Sequence, residues 1–109
     1  MALYLLQVSY TAEGWAAQLR NPRNRIELLR PVFEALGGSL DQAWYTFGDY
    51  DVVALMELPD NVSAAAFSMA AMSGGSVRAI KTTPLLTVDD GVAAMHVAAE
   101  LGYRPPSDS

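Results

Sequence analysis

Apolar and polar residues alternate from Ala2 to Tyr10, with Tyr4, Leu6, Val8 and Tyr10 on one side and Leu3, Leu5, Gln7 and Ser9 on the other. A period of two predicts a strand, and the apolar residues on both sides predict that both of its faces are largely covered. Thr11 is placed to cap a helix with Glu13 in its first turn and Trp15, Ala16, Ala17 and Leu19 after it. Asn21-Pro22 interrupts that helix. From Arg23 onward, Ile26, Leu29, Phe33 and Leu36 recur at helical spacing between Arg25, Glu27, Arg30 and Glu34, and Gly37-Gly38 supplies a stop. Pro31 lies inside this pattern, so the helix is expected to kink or break near Arg30.

Leu40 to Phe47 and Asp51 to Leu58 are rich in aromatic and β-branched residues and are separated by Gly48-Asp49-Tyr50. They read as neighbouring antiparallel strands joined by a tight turn. Asp60 or Asn61 then caps a helix whose Val62, Ala65, Ala66, Met69 and Met72 share a face, and Phe67, Ala70 and Ala71 make the rest of it apolar too. Gly74-Gly75 ends it. Val77 to Val88 is a last extended segment, with Pro84 confining its later part to an edge or a bend. Asp89-Asp90 opens a terminal helix that runs to Gly102.

The order is βαββαβ with one added helix. Four strands with their helices on one face form a ferredoxin-like α+β sandwich. The other sheet face carries Leu3, Leu5, Trp44, Val53 and Leu55, which do not belong in water. Two such faces meeting would close a dimeric α/β barrel with room for a small molecule inside it. Residues 1–88 are therefore expected to form the domain, 89–102 a helix packed on it, and 103–109 a disordered tail ending Pro105-Pro106-Ser107-Asp108-Ser109.

Composition supports assembly and removes several functions. The chain has 109 residues, 51% hydrophobic and 17% charged, which is one domain with more apolar residue than a small core can hold. A homodimer or higher homo-oligomer follows from that excess. Seven basic and twelve acidic side chains leave a net charge of −5, so neither nucleic acid nor an anionic membrane is an expected partner. No apolar run approaches the roughly 18 residues of a membrane span, and Met1 to Tyr10 has no signal-peptide pattern, so a cytoplasmic location is expected. With no cysteine and one histidine, no metal site is expected from this chain, and no cofactor is implied.

Trp44-Tyr45-Thr46-Phe47-Gly48-Asp49-Tyr50-Asp51-Val52-Val53, the strand end Tyr10-Thr11 with Gly14-Trp15, and Gly74-Gly75-Ser76-Val77-Arg78 together resemble the GYD domain family. The resemblance spans about residues 2 to 88. It implies a ferredoxin-like fold of the dimeric α/β-barrel type and no established activity. Related barrel families include cofactor-free monooxygenases, muconolactone-isomerase-like proteins and polyketide cyclases, an analogy of fold alone.

The candidate chemistry is sparse. Gly48-Asp49-Tyr50-Asp51 reads first as a turn, with Gly48 at positive φ and Asp49 bonding nearby amides. Its second reading makes Asp51 a base at the barrel mouth, on the alternation of Val53, Leu55 and Glu57, with Tyr50 beside the ligand. Gln7, Ser9 and Thr46 would orient a carbonyl or hydroxyl group on the inner sheet face, with Trp44 as an apolar wall, or would only bond one another and water. Tyr4, Tyr10 and Tyr45 are expected under the helices with their hydroxyls able to reach the rim. His96, the only imidazole, is either an acid–base group or a packing or surface residue. Met56, Met69, Met72 and Met95 read as core fillers. The leading function is a barrel that binds a small apolar organic molecule and transforms it without a cofactor by isomerisation, cyclisation or monooxygenation. The alternative is a non-catalytic oligomerisation, sensor or protein-interaction domain.

Overall fold

In the computed structural model, which describes residues 1–106, four strands form one antiparallel sheet in the order β2-β3-β1-β4. They are β1 (Ala2–Tyr10), β2 (Ser39–Tyr45), β3 (Val52–Leu58) and β4 (Val77–Leu85). Helices α1 (Ala12–Arg20), α2 (Arg30–Ala35) and α3 (Asn61–Ser73) fill the crossovers, and α4 (Val88–Glu100) follows the last strand. This is the expected ferredoxin-like α+β arrangement. Ser107, Asp108 and Ser109 of the expected tail lie outside the described residues.

The alternation read from sequence decides which face is the core. Tyr4, Leu6 and Val8 pair across the ladder with Met56, Ala54 and Val52, and all six are buried beneath the helices with Leu40, Leu58, Phe33 and Phe67. Phe33 of α2 and Phe67 of α3 stack with centroids 4.6 Å apart, tying the two helical segments over the sheet. The Tyr4 hydroxyl donates to Asn61 Oδ1 at 2.7 Å, which satisfies the one polar atom that this buried ring carries.

Several local expectations change. The stretch from Arg23 is not one helix: a 3-10 turn, Ile26–Leu29, runs into α2, with Pro31 in the first turn of α2 where its missing N–H costs nothing. The β2–β3 connection is the six-residue loop 46–51 rather than a three-residue turn, with Gly48 at φ +137. On α3, Ala64 and Phe67 face the core, whereas Val62, Ala65, Ala66, Met69 and Met72 are exposed. The helix is apolar nearly all round, so periodicity could not select its inner side, and the Phe33 ring does. Met56 is the only one of the four singled-out methionines in the core; Met69, Met72 and Met95 are not core fillers.

The terminal helix departs most from expectation. It is not packed on the domain: every residue of α4 except Gly91 is exposed, including Val88, Val92, Met95 and Val97. Thr87 caps it by accepting the Asp90 N–H at 3.0 Å, and the acidic first turn suits its dipole, so the element is well begun locally and unpartnered globally. The radius of gyration is 17.7 Å, against about 13 Å for a compact chain of this length.

Candidate functional site

The Gly48-Asp49-Tyr50-Asp51 loop is tied to the end of β1 by hydrogen bonds from both sides. Asp51 N–H donates to Val8 O and Thr46 N–H donates to Asp51 O, each at 2.8 Å. The Asp51 carboxylate turns away from the outer sheet face where its alternation with Val53 had put it. Its Oδ2 accepts the Tyr10 backbone N–H at 2.9 Å and the Trp15 indole N–H at 3.2 Å. One carboxylate oxygen thus fastens three pieces of chain: the β3 entry, the last residue of β1 and the first turn of α1. Tyr10 and Trp15 meet edge to face beside it, with centroids 5.4 Å apart.

Ser9 and Thr46 also bond into this junction. Ser9 keeps the register of Gln7, pairing with Ala79 before a bulge shifts Tyr10, and, 1% exposed, it donates its hydroxyl to Asp49 O at 2.8 Å. Thr46 Oγ1 donates to Tyr50 O at 2.6 Å. Gln7 and Trp44 do share the outer face, in one row running Trp44, Val53, Gln7, Lys81 across the sheet. The structure therefore unites Ser9, Thr46, Tyr50 and Asp51, sets Gln7 with Trp44 elsewhere, and leaves His96 exposed on α4.

A second junction seats α1. Thr11 N–H donates to Ser76 O at 2.9 Å, and its hydroxyl donates to Gly75 O and accepts the Gly14 N–H, each at 3.0 Å. A Cβ on Gly14 would stand 2.5 Å from Ser76 O, so only glycine lets α1 lie this close to the start of β4. Gly14-Trp15 and Gly74-Gly75-Ser76 are structurally one unit, although sixty residues separate them.

These junctions frame a chamber of about 400 Å³ between the helices and the sheet. Its floor includes Leu6, Val8, Val52 and Ala54; Phe33, Phe67 and Ala71 are on its helix side. The expected pocket lay across the sheet, between two copies; this one lies within a single chain. It exists because inward positions hold small residues: Gly14, Ala17, Ala43, Ala54, Ala70 and Ala71 all line it. Their lack of volume was the sequence signal, hidden because alanine suits helix, strand and interface equally.

Four polar residues line the chamber: Tyr10, Gln18, Arg25 and Ser76. Arg25 Nη2 donates to Ala17 O at 3.3 Å and Asn21 O at 3.2 Å, capping the C-terminal end of α1, while its Nε is buried without a hydrogen-bond partner. Tyr45, half exposed at the rim, donates to Gln18 Oε1 at 3.4 Å. Burial pushes the Tyr10 hydroxyl up to about 12; Tyr45 and Asp51 add to the rise and Arg25 opposes it. At neutral pH this hydroxyl is a hydrogen-bond donor. Sequence reading missed Gln18 and Arg25 as site residues because each looks like an ordinary polar position on a helix face.

Comparison with known families adds a name to this framework. The GYD domain family model matches residues 4–95. The chain belongs to the GYD domain family. The match runs past Val88, where the sequence resemblance ended, so the first half of α4 is part of the GYD domain. No curated protein and no solved structure matches it. Among the described residues, no three or more His, Asp or Glu side chains are grouped to hold a metal, and no helix is long and apolar enough to cross a membrane. The residues of the family resemblance build the two junctions, which suits a scaffold role for that motif.

Proposed function

We propose that this GYD domain binds a small, mainly apolar organic molecule in the chamber between its helices and its sheet, and does so as a homodimer or higher homo-oligomer. The observation that carries the binding reading is the chamber itself. A cleft of about 400 Å³, partly open to solvent, lies in the range of ligand sites and is lined by apolar side chains with a few polar groups.

Surface area supports assembly. The chain exposes 7497 Å², about 1,600 Å² more than a folded monomer of its mass is expected to. A standard interface takes about 800 Å² from each partner, so the excess is enough for one on the sheet face and a further contact through α4. Leu3, Leu5, Val53 and Leu55 are only partly covered on that face, and Trp44 is 49% exposed beside them. A lone helix of 13 residues is marginal in water, and α4 gains its packing from a second copy.

Asp51 enters this reading as the fastening of the β1–α1 corner and not as a base, because two donors already hold its Oδ2. Binding without turnover is therefore the function favoured over isomerase, cyclase or monooxygenase chemistry. Native mass spectrometry of freshly purified protein tests both halves together. The expected spectrum shows a dimer or larger assembly with a reproducible added mass per chain. A monomer stable to dilution and free of any added mass is the opposite result.

A further inference from the structure

Given the binding reading above, the lining of the chamber also bears on what it selects. Arg25 is the only charged residue among those that line it, in a chain whose net charge is −5. Three of the groups that line the chamber have hydrogen-bond donors to spare. Arg25 Nε has no partner, the Tyr10 hydroxyl makes no hydrogen bond within the described chain, and Gln18 spends its Oε1 on Tyr45, leaving its amide hydrogens. The Asp51 carboxylate is not among the groups that line the chamber, and its Oδ2 is held by the Tyr10 N–H and the Trp15 indole N–H. No acidic side chain lines the chamber to neutralise Arg25.

Arg25 is only partly covered, but its Nε–H is buried with no partner, and a buried donor left unsatisfied costs free energy. A guanidinium is also the side chain best shaped to accept a carboxylate, through two parallel N–H groups. The Nη2 bonds to the end of α1 are long, at 3.2 and 3.3 Å, so a small turn of the guanidinium toward the chamber sacrifices little. Beyond the donors the walls are hydrocarbon. We infer that the chamber takes an amphipathic carboxylic acid, its carboxylate on Arg25 with Tyr10 and Gln18 as further donors, and its apolar body between Val52, Ala54, Phe67 and Ala71.

The test separates this inference from the binding reading on which it rests. The neutral apolar dye N-phenyl-1-naphthylamine is titrated into the full-length protein, then displaced by decanoate or by the equally long, uncharged 1-decanol. Decanoate is expected to displace the dye at least tenfold more effectively at pH 7.5. Raising salt from 20 to 500 mM narrows that gap by weakening decanoate alone. Tyr10→Phe and Arg25→Gln each shrink the preference, Arg25→Gln nearly to unity. Because Arg25 also caps α1, the salt response of the unaltered protein is the control that needs no folded variant. Equal displacement by acid and alcohol overturns the inference and leaves the chamber as a neutral site. Failure of the dye to bind overturns the binding reading itself.

Discussion

Replacing Asp51 with alanine removes the acceptor shared by Tyr10 N–H and Trp15 Nε1–H, and the cost can be worked from those two bonds. A hydrogen bond to a charged acceptor is worth about 1.5–3 kcal/mol, and a donor left buried without a partner costs about as much as the bond gave. The Tyr10 bond at 2.9 Å has good length and lies at a partly buried β-bulge, so it keeps most of that value. The Trp15 bond at 3.2 Å is weaker, and water can reach the partly exposed Asp51 side chain, so it stands at or below the low end. Asp51→Ala is therefore expected to destabilise the domain by about 2–3 kcal/mol, and Asp51→Asn, which keeps a neutral acceptor, by about 1 kcal/mol. Urea unfolding at one fixed protein concentration measures both, since an oligomer's midpoint moves with concentration. Trp15 emission serves as a local probe of the freed indole. If Asp51→Ala unfolds within about 0.5 kcal/mol of the parent, the fastening role is refuted and the carboxylate must be present for another reason.

Three further outcomes follow. Gly14→Ala places a Cβ 2.5 Å from Ser76 O, a backbone atom that cannot turn aside, and is expected to cost about 1–3 kcal/mol in thermal unfolding. The Tyr10 phenol, raised from 10.0 to about 12, keeps its proton in the folded chain while the unfolded chain loses it, so its contribution to stability is complete below pH 10 and falls between 10 and 12. Ultraviolet titration should show one tyrosine ionising near 12, and Tyr10→Phe should remove both that step and that loss of stability. A chain ending at Thr87 lacks α4, which packs little on its own domain, so circular dichroism should find the sheet intact while sedimentation finds a weaker assembly.

Much of the fold was legible because its strands carry a strict period of two. Tyr4, Leu6 and Val8 could face only one way, and Val52, Ala54, Met56 and Leu58 answered them from the neighbouring strand. Prolines and glycines marked the breaks, as at Pro31 and Gly75. The failures share a physical cause. At Asp51 the chain is still in its loop, so a register extrapolated from mid-strand aimed that side chain wrongly, and the bulge after Ser9 shifts the pairing of Tyr10. On α3 and α4, apolar residues nearly encircle the helix, and which side is inside depends on what lies beyond it. The chamber was invisible for a different reason: it is made by alanines and a glycine, and an absent side chain leaves no pattern. Gln18 and Arg25 gain their meaning only from that absence.

The chamber as a ligand site is tested most directly by filling it. Ala54 of β3 and Ala71 of α3 both line the void, and leucine at both positions occupies it with the hydrocarbon it lacks. Titration of N-phenyl-1-naphthylamine into the parent protein should saturate at one dye per chain. In the Ala54→Leu, Ala71→Leu variant that binding should weaken at least tenfold while thermal stability holds or rises, as cavity filling does. Undiminished saturable binding by a folded, filled variant would place the ligand elsewhere and contradict the assignment of function to this chamber.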